Sequence, residues 1–511
     1  MGRRARLLGA LTAVPFLCLS APGADVAAAS VPAADVTGAT LDASTDSTQT
    51  PDWERCGGGF QCATLAVPVD YSAPGGKTVD LSLTRRRADD PANRIGTLIV
   101  NYGGPGDAGT ETLRYAADLM PAAARRSFDL LSFDPRGVGS SQPVRCIDDA
   151  TFEVAWSEDP TPNGPSDLPG FYDGSASSVD LAAECIARNG DWLARLGTRN
   201  VARDLDRIRA AVGDEKLTFL GYSYGTLLGA LYAQEFPHRV RAMVLDSAVD
   251  LSSTMTEEQR DSTAGFERAL GEFLDDCADD ETCAFHSGGD PRAALERLRA
   301  RFEQGIRVDG GDGDRSVGAS EFYVALVAAL YSRDDWPILA DGLQAAAKQD
   351  DGATLLLLSD LYAGRRDDGT YSNLQQVLGI IVCNDDAEPL VTFDEFRATY
   401  EELSATYPFF GPLFGSGPAG CDPRLPKPRA DELVGDLRVS DAPPVLVVGT
   451  TRDPATPYVG AQDLRDRLAG SRLLTVDNTG HGSYATGNRC VDRIVDHYLI
   501  SGKAPAHDRR C

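Results

Sequence analysis

The sequence lacks several features that would place it in common classes of protein. It has 49 Lys and Arg residues against 76 Asp and Glu, so its formal net charge of -27 argues against nucleic acid or an anionic membrane as a partner. It contains no C-x-x-C or H-E-x-x-H motif, so neither zinc binding nor dithiol redox chemistry is indicated. No apolar run after the N-terminus approaches the length of a membrane-spanning helix. We therefore expect no metal, no other cofactor and no membrane anchor.

The N-terminus has the organisation of an export signal. It starts with a basic stretch, residues 7–19 are apolar but too few to span a bilayer, and small residues follow. We assign residues 1–36 to a signal peptide. Residues 37–52 are rich in Ala, Thr, Ser and Asp without periodicity, which predicts a disordered leader or pro-segment. The protein is predicted to be secreted and extracellular.

The cysteine count agrees with export. Of eleven cysteines, Cys18 falls in the signal peptide, and the remaining ten are an even number for an oxidising compartment. Spacing alone does not fix connectivity. Pairing of near neighbours would give the disulfides Cys56–Cys62, Cys146–Cys185, Cys277–Cys283, Cys383–Cys421 and Cys490–Cys511.

One stretch, from Lys216 to Pro237, combines a short apolar run with a glycine-flanked serine. Leu217–Leu220 is typical of a buried strand, and Gly221-Tyr222-Ser223-Tyr224-Gly225 precedes an apolar run of good helix formers. A serine at such a strand-to-helix turn exposes its hydroxyl to a substrate carbonyl. The alternative is a loop serine between two chance glycines, because the pentapeptide alone is weak evidence.

Strand and helix patterns alternate from Gly96 to Asp246 and again after Pro443, which predicts a mostly parallel sheet with helices on both faces. Between these parts helical stretches dominate and buried-strand signals disappear. We therefore predict one split core, residues 53–250 and 441–511. The intervening residues 251–440, which we call the cap, are predicted to be helical.

Two residues near the C-terminus could complete the chemistry of Ser223. Asp453 lies in a polar loop after a predicted strand, and His481 lies between glycines immediately after the next one. Among five histidines, only His481 follows a predicted core strand, at the sheet edge where ligands bind in open α/β sheets. Histidine can activate a serine hydroxyl, and a carboxylate orients the histidine. The chain order Ser223, Asp453, His481 is that of the α/β-hydrolase fold, although each residue alone could be structural.

A glycine-rich loop could supply an oxyanion hole. The strand Gly96–Asn101 runs directly into Tyr102-Gly103-Gly104-Pro105-Gly106, and glycines there let backbone N–H groups approach a ligand. We predict that the N–H groups of Gly104 and Tyr224 bind the oxyanion. The alternative is a plain strand-to-helix turn.

These motifs resemble known families of serine peptidases. The Gly103–Gly106 loop, the Asp134–Ser141 run and the Gly221–Gly225 turn are similar to the prolyl iminopeptidase group. Asp453-x-x-Thr456-Pro457 with Gly480-His481-Gly482 resembles the C-terminal part of secreted bacterial tripeptidyl aminopeptidases. The resemblance covers both parts of the core and is thinner in the cap. Tyr102 departs from it, since relatives often carry His or Pro there.

The resemblance implies a serine aminopeptidase that releases short peptides, typically tripeptides, from a free amine end. Such an enzyme needs a negative anchor for the substrate ammonium, and the cap carboxylates Asp385 and Glu258 are our candidates. Each could equally be part of a solvated acidic face. Peptides or small proteins with free N-termini are the expected partners, and we expect a monomer. The alternatives are a secreted carboxylesterase with the same triad and a non-catalytic binding module on this fold.

Overall fold

The computed structural model describes residues 50–511 except 306, 311, 312, 314, 387 and 418. The predicted signal peptide, and all but the last three residues of the predicted leader, lie outside the described residues. Within the described part of the chain, no helix is both long and apolar enough to cross a membrane.

The described strands form one ten-stranded mixed sheet and a separate small hairpin, so the predicted fold class is confirmed. The order across the large sheet is β1-β2-β3-β5-β4-β6-β7-β10-β11-β12, while β8 pairs with β9. Strands from β5 through β4, β6, β7, β10 and β11 to β12 are parallel, and β1 to β3 form an antiparallel extension. The strands are β1 (Glu54–Arg55), β2 (Phe60–Pro68), β3 (Thr78–Arg86), β4 (Gly96–Asn101), β5 (Phe128–Phe133), β6 (Leu217–Tyr222), β7 (Val240–Asp246), β8 (Val308–Asp309), β9 (Ser316–Val317), β10 (Leu446–Arg452), β11 (Arg472–Thr479) and β12 (Arg509–Arg510).

Helices cover both faces of the sheet and make up most of the segment between β7 and β10. They are α1 (Gly109–Ala116), α2 (Ala122–Ser127), α3 (Asp149–Trp156), α4 (Leu168–Asp173), α5 (Leu181–Asn189), α6 (Thr198–Ala211), α7 (Tyr224–Glu235), α8 (Met255–Asp279), α9 (Pro291–Glu303), α10 (Ala319–Leu330), α11 (Trp336–Gln349), α12 (Ala353–Ala363), α13 (Leu374–Asp385), α14 (Phe393–Thr406), α15 (Gly411–Gly415), α16 (Tyr458–Arg467) and α17 (Arg489–Ser501).

The central strands are buried on both faces because each face packs against helices. Every residue of β4 is buried, and its side chains alternate between two apolar clusters. Leu98 and Val100 pack with Leu113 of α1 and Tyr498 of α17. Ile99 packs on the opposite face with residues of α6 and α7. A third cluster joins the cap helices to one another.

The cap contains helices that the sequence pattern did not identify. The sequence pattern predicted individual cap helices at residues 256–276, 292–304, 319–331, 336–349 and 393–407. It did not identify α12 and α13, both of which show little amphipathic period. The short hairpin β8–β9 was also not anticipated. The five disulfides of the structure are the five near-neighbour pairs suggested by the spacing.

The parallel strands bring five loops to one edge of the sheet. Because β4, β6, β7, β10 and β11 all run in the same direction, their carboxyl ends lie at the same edge. The loops that follow these strands contain Gly104, Ser223, Ser247, Asp453 and His481. Residues far apart in the chain therefore meet at this edge.

Candidate active site

Ser223 stands at the sharp turn between β6 and α7. Its backbone has φ 53° and ψ -124°, a conformation that costs a non-glycine residue about 1–3 kcal/mol. The flanking glycines are needed for close approach, since a Cβ on Gly221 would lie 2.2 Å from the carbonyl oxygen of Gly225. The Ser223 N–H donates to the carbonyl oxygen of Asp246 at 2.9 Å, which fixes the turn to the end of β7.

The glycine-rich loop after β4 begins beside this turn. Asn101, the last residue of β4, accepts the Gly103 N–H at 3.2 Å through its side-chain oxygen. Gly104 has φ +101°, and a Cβ there would lie 2.7 Å from the Gly106 nitrogen and 3.0 Å from that of Asp107. Only glycine fits this position without strain. Burial raises the pKa of Asp107 to about 7.

Asp453 and His481 form a buried pair on neighbouring loops. The Nδ1 atom of His481 lies 2.9 Å from Oδ1 and 3.0 Å from Oδ2 of Asp453. Asp453 also accepts hydrogen bonds from the backbone N–H of Ala455 and Thr456, at 3.0 and 2.9 Å, and from the Thr456 hydroxyl at 3.1 Å. Among the described residues, Nε2 of His481 has no hydrogen-bond partner. The imidazole is thus held through Nδ1, which leaves Nε2 for a reacting group.

Cap residues contact both of these loops. The His481 N–H donates to the carbonyl oxygen of Tyr331 at 2.8 Å, and the Tyr331 ring meets the imidazole edge-to-face with centroids 5.4 Å apart. Arg268 of α8 donates to the carbonyl oxygen of Asp453 at 3.0 Å. Residues 251–440 therefore support the positions of Asp453 and His481 through Tyr331 and Arg268.

Asp246, at the end of β7, is a site residue that the sequence reading missed. It is fully buried, and its Oδ2 accepts the N–H groups of Ser483 at 3.0 Å and Tyr484 at 2.8 Å. Burial raises its pKa to about 6, while these two N–H donors act in the opposite direction. The sequence did contain a signal for Asp246. It is a carboxylate at the carboxyl end of a predicted core strand, the same kind of position that singled out His481.

The two predicted ammonium anchors have different surroundings, and Asp385 is the more enclosed. Its Oδ1 accepts the Thr198 N–H at 2.6 Å, and its Oδ2 accepts the Thr198 hydroxyl at 2.5 Å. That hydroxyl in turn contacts the phenol of Tyr224. Burial raises the pKa of Asp385 to about 7. Both oxygens are engaged within the protein, at the start of α6, and the anchor role of Asp385 stays a prediction.

Glu258, near the start of α8, belongs to a group of carboxylates. Withdrawal from bulk water, and the charges of Asp250, Glu388, Asp386 and Asp261, raise its pKa to about 7. Its side chain nevertheless remains exposed to solvent. No ion pair joins Glu258 to an Arg or Lys among residues that the structure describes.

The group lies next to the edge that carries Ser223. Asp250 follows β7 by four residues, and the Val249 N–H donates to the hydroxyl of Thr226 in the first turn of α7 at 3.2 Å. Asp386 directly follows Asp385, whose partner Thr198 contacts Tyr224. In the described part of the chain, no cluster of three or more His, Cys, Asp or Glu side chains could hold a metal ion.

A serine at a strained strand-to-helix turn, with an Asp–His pair at the carboxyl edge of the same sheet, is the arrangement typical of a serine hydrolase of the α/β-hydrolase fold. Comparison with known proteins agrees, since residues 96–287 match the family model described as alpha/beta hydrolase fold. The chain belongs to the TAP-like family within this fold. The family model described as TAP-like protein matches residues 407–511, and full-length relatives place the whole chain in the same family.

Three relatives illustrate the family. The chain is 38% identical to serine protease Hip1 of Mycobacterium tuberculosis over 469 residues, which cover 89% of this chain and 88% of that protein. It is 36% identical to carboxylesterase B of the same organism, with coverages of 88% and 86%. It is 32% identical to tripeptidyl aminopeptidase of Streptomyces lividans, with coverages of 90% and 86%. Among solved structures, proline iminopeptidase of Mycobacterium smegmatis aligns over 86% of this chain and 98% of its own, at 15% identity and a TM-score of 0.35.

Proposed function

We propose that this protein is a secreted serine exopeptidase that releases short peptides, chiefly tripeptides, from free N-termini of peptides and small proteins. The observation that carries the proposal is the His481–Asp453 pair, 2.9 Å apart, beside the strained Ser223. The relative named tripeptidyl aminopeptidase supports the choice of substrate. The predicted export signal and the five disulfides support secretion.

The proposed reaction proceeds through an acyl-enzyme. The Ser223 hydroxyl attacks the scissile carbonyl while Nε2 of His481 takes its proton and then passes it to the leaving amine. Asp453 accepts a hydrogen bond from the Nδ1–H group of His481, so it fixes the tautomer and stabilises the imidazolium. Water, activated by the same imidazole, then hydrolyses the ester and regenerates Ser223.

The negative charge that develops on the substrate carbonyl oxygen needs fixed donors. We assign this task to the N–H groups of Tyr224, the first residue of α7, and Gly104 in the loop after β4. Such donors act before any solvent has to reorganise, and each contributes about 3–4 kcal/mol to transition-state stabilisation.

Replacing Gly104 by Ala is expected to lower kcat by about 10²–10³-fold with little change in KM. The added Cβ would lie 2.7 Å from the Gly106 nitrogen, so the loop must move and its donor leaves the position of the oxyanion. Steady-state kinetics on a chromogenic tripeptide amide measure the effect. Gly75→Ala is the matched control, because Gly75 is exposed and a Cβ there has open space. A kcat within threefold of the parent in Gly104→Ala would remove Gly104 from the oxyanion hole.

The substrate ammonium is assigned to Glu258. Its carboxylate is accessible to solvent, lacks an ion-pair partner among the described residues, and is surrounded by other negative charges. An ammonium ion would relieve the mutual repulsion of these carboxylates, which favours binding of a cation. Asp386, which is exposed nearby, and Glu388 would contribute to the same negative potential.

Replacing Glu258 by Gln is expected to raise KM about tenfold for free-amine tripeptide amides and to leave N-acetylated substrates unchanged. With the Glu258 pKa raised to about 7, the anchor is neutral below that pH and charged above it. A peptide amine loses its proton near pH 8. KM of the parent should therefore be lowest between pH 7 and 8, and the rise below pH 7 should be absent in Glu258→Gln.

The neighbouring substitution Glu257→Gln is the matched control. Glu257 is also exposed, but its carboxylate accepts the Thr254 N–H at 2.8 Å in the capping box of α8, a bond that Gln can keep. Its KM should equal that of the parent for all substrates. Equal KM changes for free and acetylated substrates in Glu258→Gln would contradict the anchor.

A carboxylesterase is the second candidate, because the relative named carboxylesterase B is 36% identical over nearly the same span. A panel of three substrates separates the two functions: a free tripeptide amide, its N-acetylated form and a short acyl ester. For the exopeptidase, kcat/KM on the free amine should exceed that on the acetylated amide by about tenfold or more. Rapid turnover of the ester with neither amide hydrolysed would favour the esterase.

A further inference from the structure

Asp246 and Ser247 form a corner at the end of β7. This corner joins the turn that carries Ser223 to the loop that carries His481. The carbonyl oxygen of Asp246 accepts the Ser223 N–H at 2.9 Å. Its side-chain Oδ2 accepts the N–H groups of Ser483 and Tyr484 at 3.0 and 2.8 Å. The Ser247 hydroxyl accepts the Gly482 N–H at 2.7 Å. One dipeptide thus holds both sides of the site.

The corner is itself fixed. Asp246 and Ser247 are buried, and Ser247 has φ +57°, in the left-handed region that costs a serine energy. The Ser247 N–H donates to the carbonyl oxygen of Val448 at 3.0 Å, which ties the corner to β10. Such strain persists only where the surrounding structure over-determines it.

The backbone of the His481 loop is held at four consecutive N–H groups. The carbonyl of Tyr331 accepts the first, from His481, at 2.8 Å. The corner accepts the next three, from Gly482, Ser483 and Tyr484. Asp246 contacts both the Ser223 turn and this loop, and a second link is the Tyr222 hydroxyl, which donates to the carbonyl oxygen of Tyr484 at 3.1 Å.

We propose that Asp246 and Ser247 are positioning residues, which set the distance between Nε2 of His481 and the hydroxyl of Ser223. The inference rests on the proposed function, in which these two atoms exchange a proton. Asp246 acts through the backbone and not as the acid, because Asp453 holds Nδ1 of His481. A displacement of about 1 Å between reacting groups can cost about 10²-fold in rate.

The variants Asp246→Asn and Asp246→Ala separate position from charge. A single oxygen, Oδ2, accepts both N–H groups, and Oδ1 has no hydrogen-bond partner among the described residues. An Asn side chain can place its carbonyl oxygen at the Oδ2 position and keep both bonds, whereas Ala removes them. We expect kcat within about fivefold of the parent for Asn and about 10²-fold lower for Ala, with KM within threefold in both.

Ser247→Ala is an independent test, because it removes only the hydrogen bond from the Gly482 N–H to the Ser247 hydroxyl. We expect a kcat about tenfold lower than that of the parent, with KM unchanged. It decides the question alone if Asp246→Ala does not yield folded protein. Asp508→Ala is the matched control: Asp508 accepts the Leu473 N–H at 2.9 Å near the opposite end of β11, so kcat should not change.

The outcomes distinguish this inference from the proposed function. Unchanged kcat in Ser247→Ala, or equal losses in Asp246→Asn and Asp246→Ala, would overturn the positioning role while leaving the triad intact. Turnover by Ser223→Ala would overturn the proposed function itself. A higher kcat in Asp246→Asn than in Asp246→Ala, together with an inactive Ser223→Ala, would support both the positioning role and the proposed function.

Discussion

Ser223→Ala is expected to lower kcat/KM by about 10⁶-fold. Without the hydroxyl no acyl-enzyme can form, and only the backbone donors and substrate binding remain to assist attack by water. The fold should be retained, because only one oxygen atom is removed from Ser223, a residue that is 6% exposed. Hydrolysis of a chromogenic tripeptide amide measures the loss, and thermal unfolding checks the fold.

The matched control for this prediction is Ser359→Ala. Ser359 is also buried, at 1% exposed, but lies on α12 beside Trp156, where its hydroxyl accepts the indole N–H at 3.4 Å. Its kcat/KM should stay within a few-fold of the parent. A fluorophosphonate should label the parent and Ser359→Ala but not Ser223→Ala. Labelling of Ser223→Ala, or more than 1% of parental turnover, would show that the nucleophile is another residue.

Asp453→Asn is expected to lower kcat/KM at neutral pH by about 10⁴-fold. Every contact of the Asp453 carboxylate is with a donor: the N–H groups of Ala455 and Thr456, the Thr456 hydroxyl and Nδ1 of His481. An amide must turn its NH₂ group toward one of these donors. If it faces Nδ1, the imidazole must carry its proton on Nε2, and this tautomer cannot act as the base for Ser223.

Asp477→Asn is the control for Asp453→Asn, since it makes the same change on the neighbouring strand β11. Asp477 is 49% exposed and pairs with Arg452 at 3.1 Å, away from the imidazole. Its kcat/KM should match that of the parent across the pH profile. If Asp453→Asn retained kcat/KM within tenfold of the parent, another carboxylate would have to orient His481, and Asp246 would be the first to examine.

The strands of the core were largely predictable because their signals are local. The patterns gave β4 as Gly96–Asn101, which are the observed bounds, and a strand at Leu217–Leu220, which lies within the observed β6 (Leu217–Tyr222). A short apolar run between turn residues marks a buried strand wherever the chain later goes. The same local reasoning missed α12 and α13, whose apolar residues show little helical period.

The candidate site also has a part that local sequence signals predict and a part that they do not. Ser223, Asp453 and His481 could be selected because each follows a strand signal and sits between turn residues. Asp385 shows the limit. The sequence suggested only a cap carboxylate that could bind a substrate ammonium. In the structure both of its carboxylate oxygens accept hydrogen bonds from Thr198, which lies 187 residues earlier in the chain.

The sequence by itself determined the chemical groups of this protein and their places at the ends of strands, because both depend on residues within one short stretch. Only the tertiary structure decided which groups meet. Asp246 contacts Ser483 and Tyr484 across 237 and 238 residues, and Tyr331 of the cap receives the His481 N–H. Such contacts arise when parallel strands align their carboxyl ends and residues of the 251–440 segment contact the loops there, and no local pattern records the partner. Tertiary structure thus brought the loops of Ser223, Asp453 and His481 to one edge of the sheet and tied the first and last of them to the Asp246–Ser247 corner.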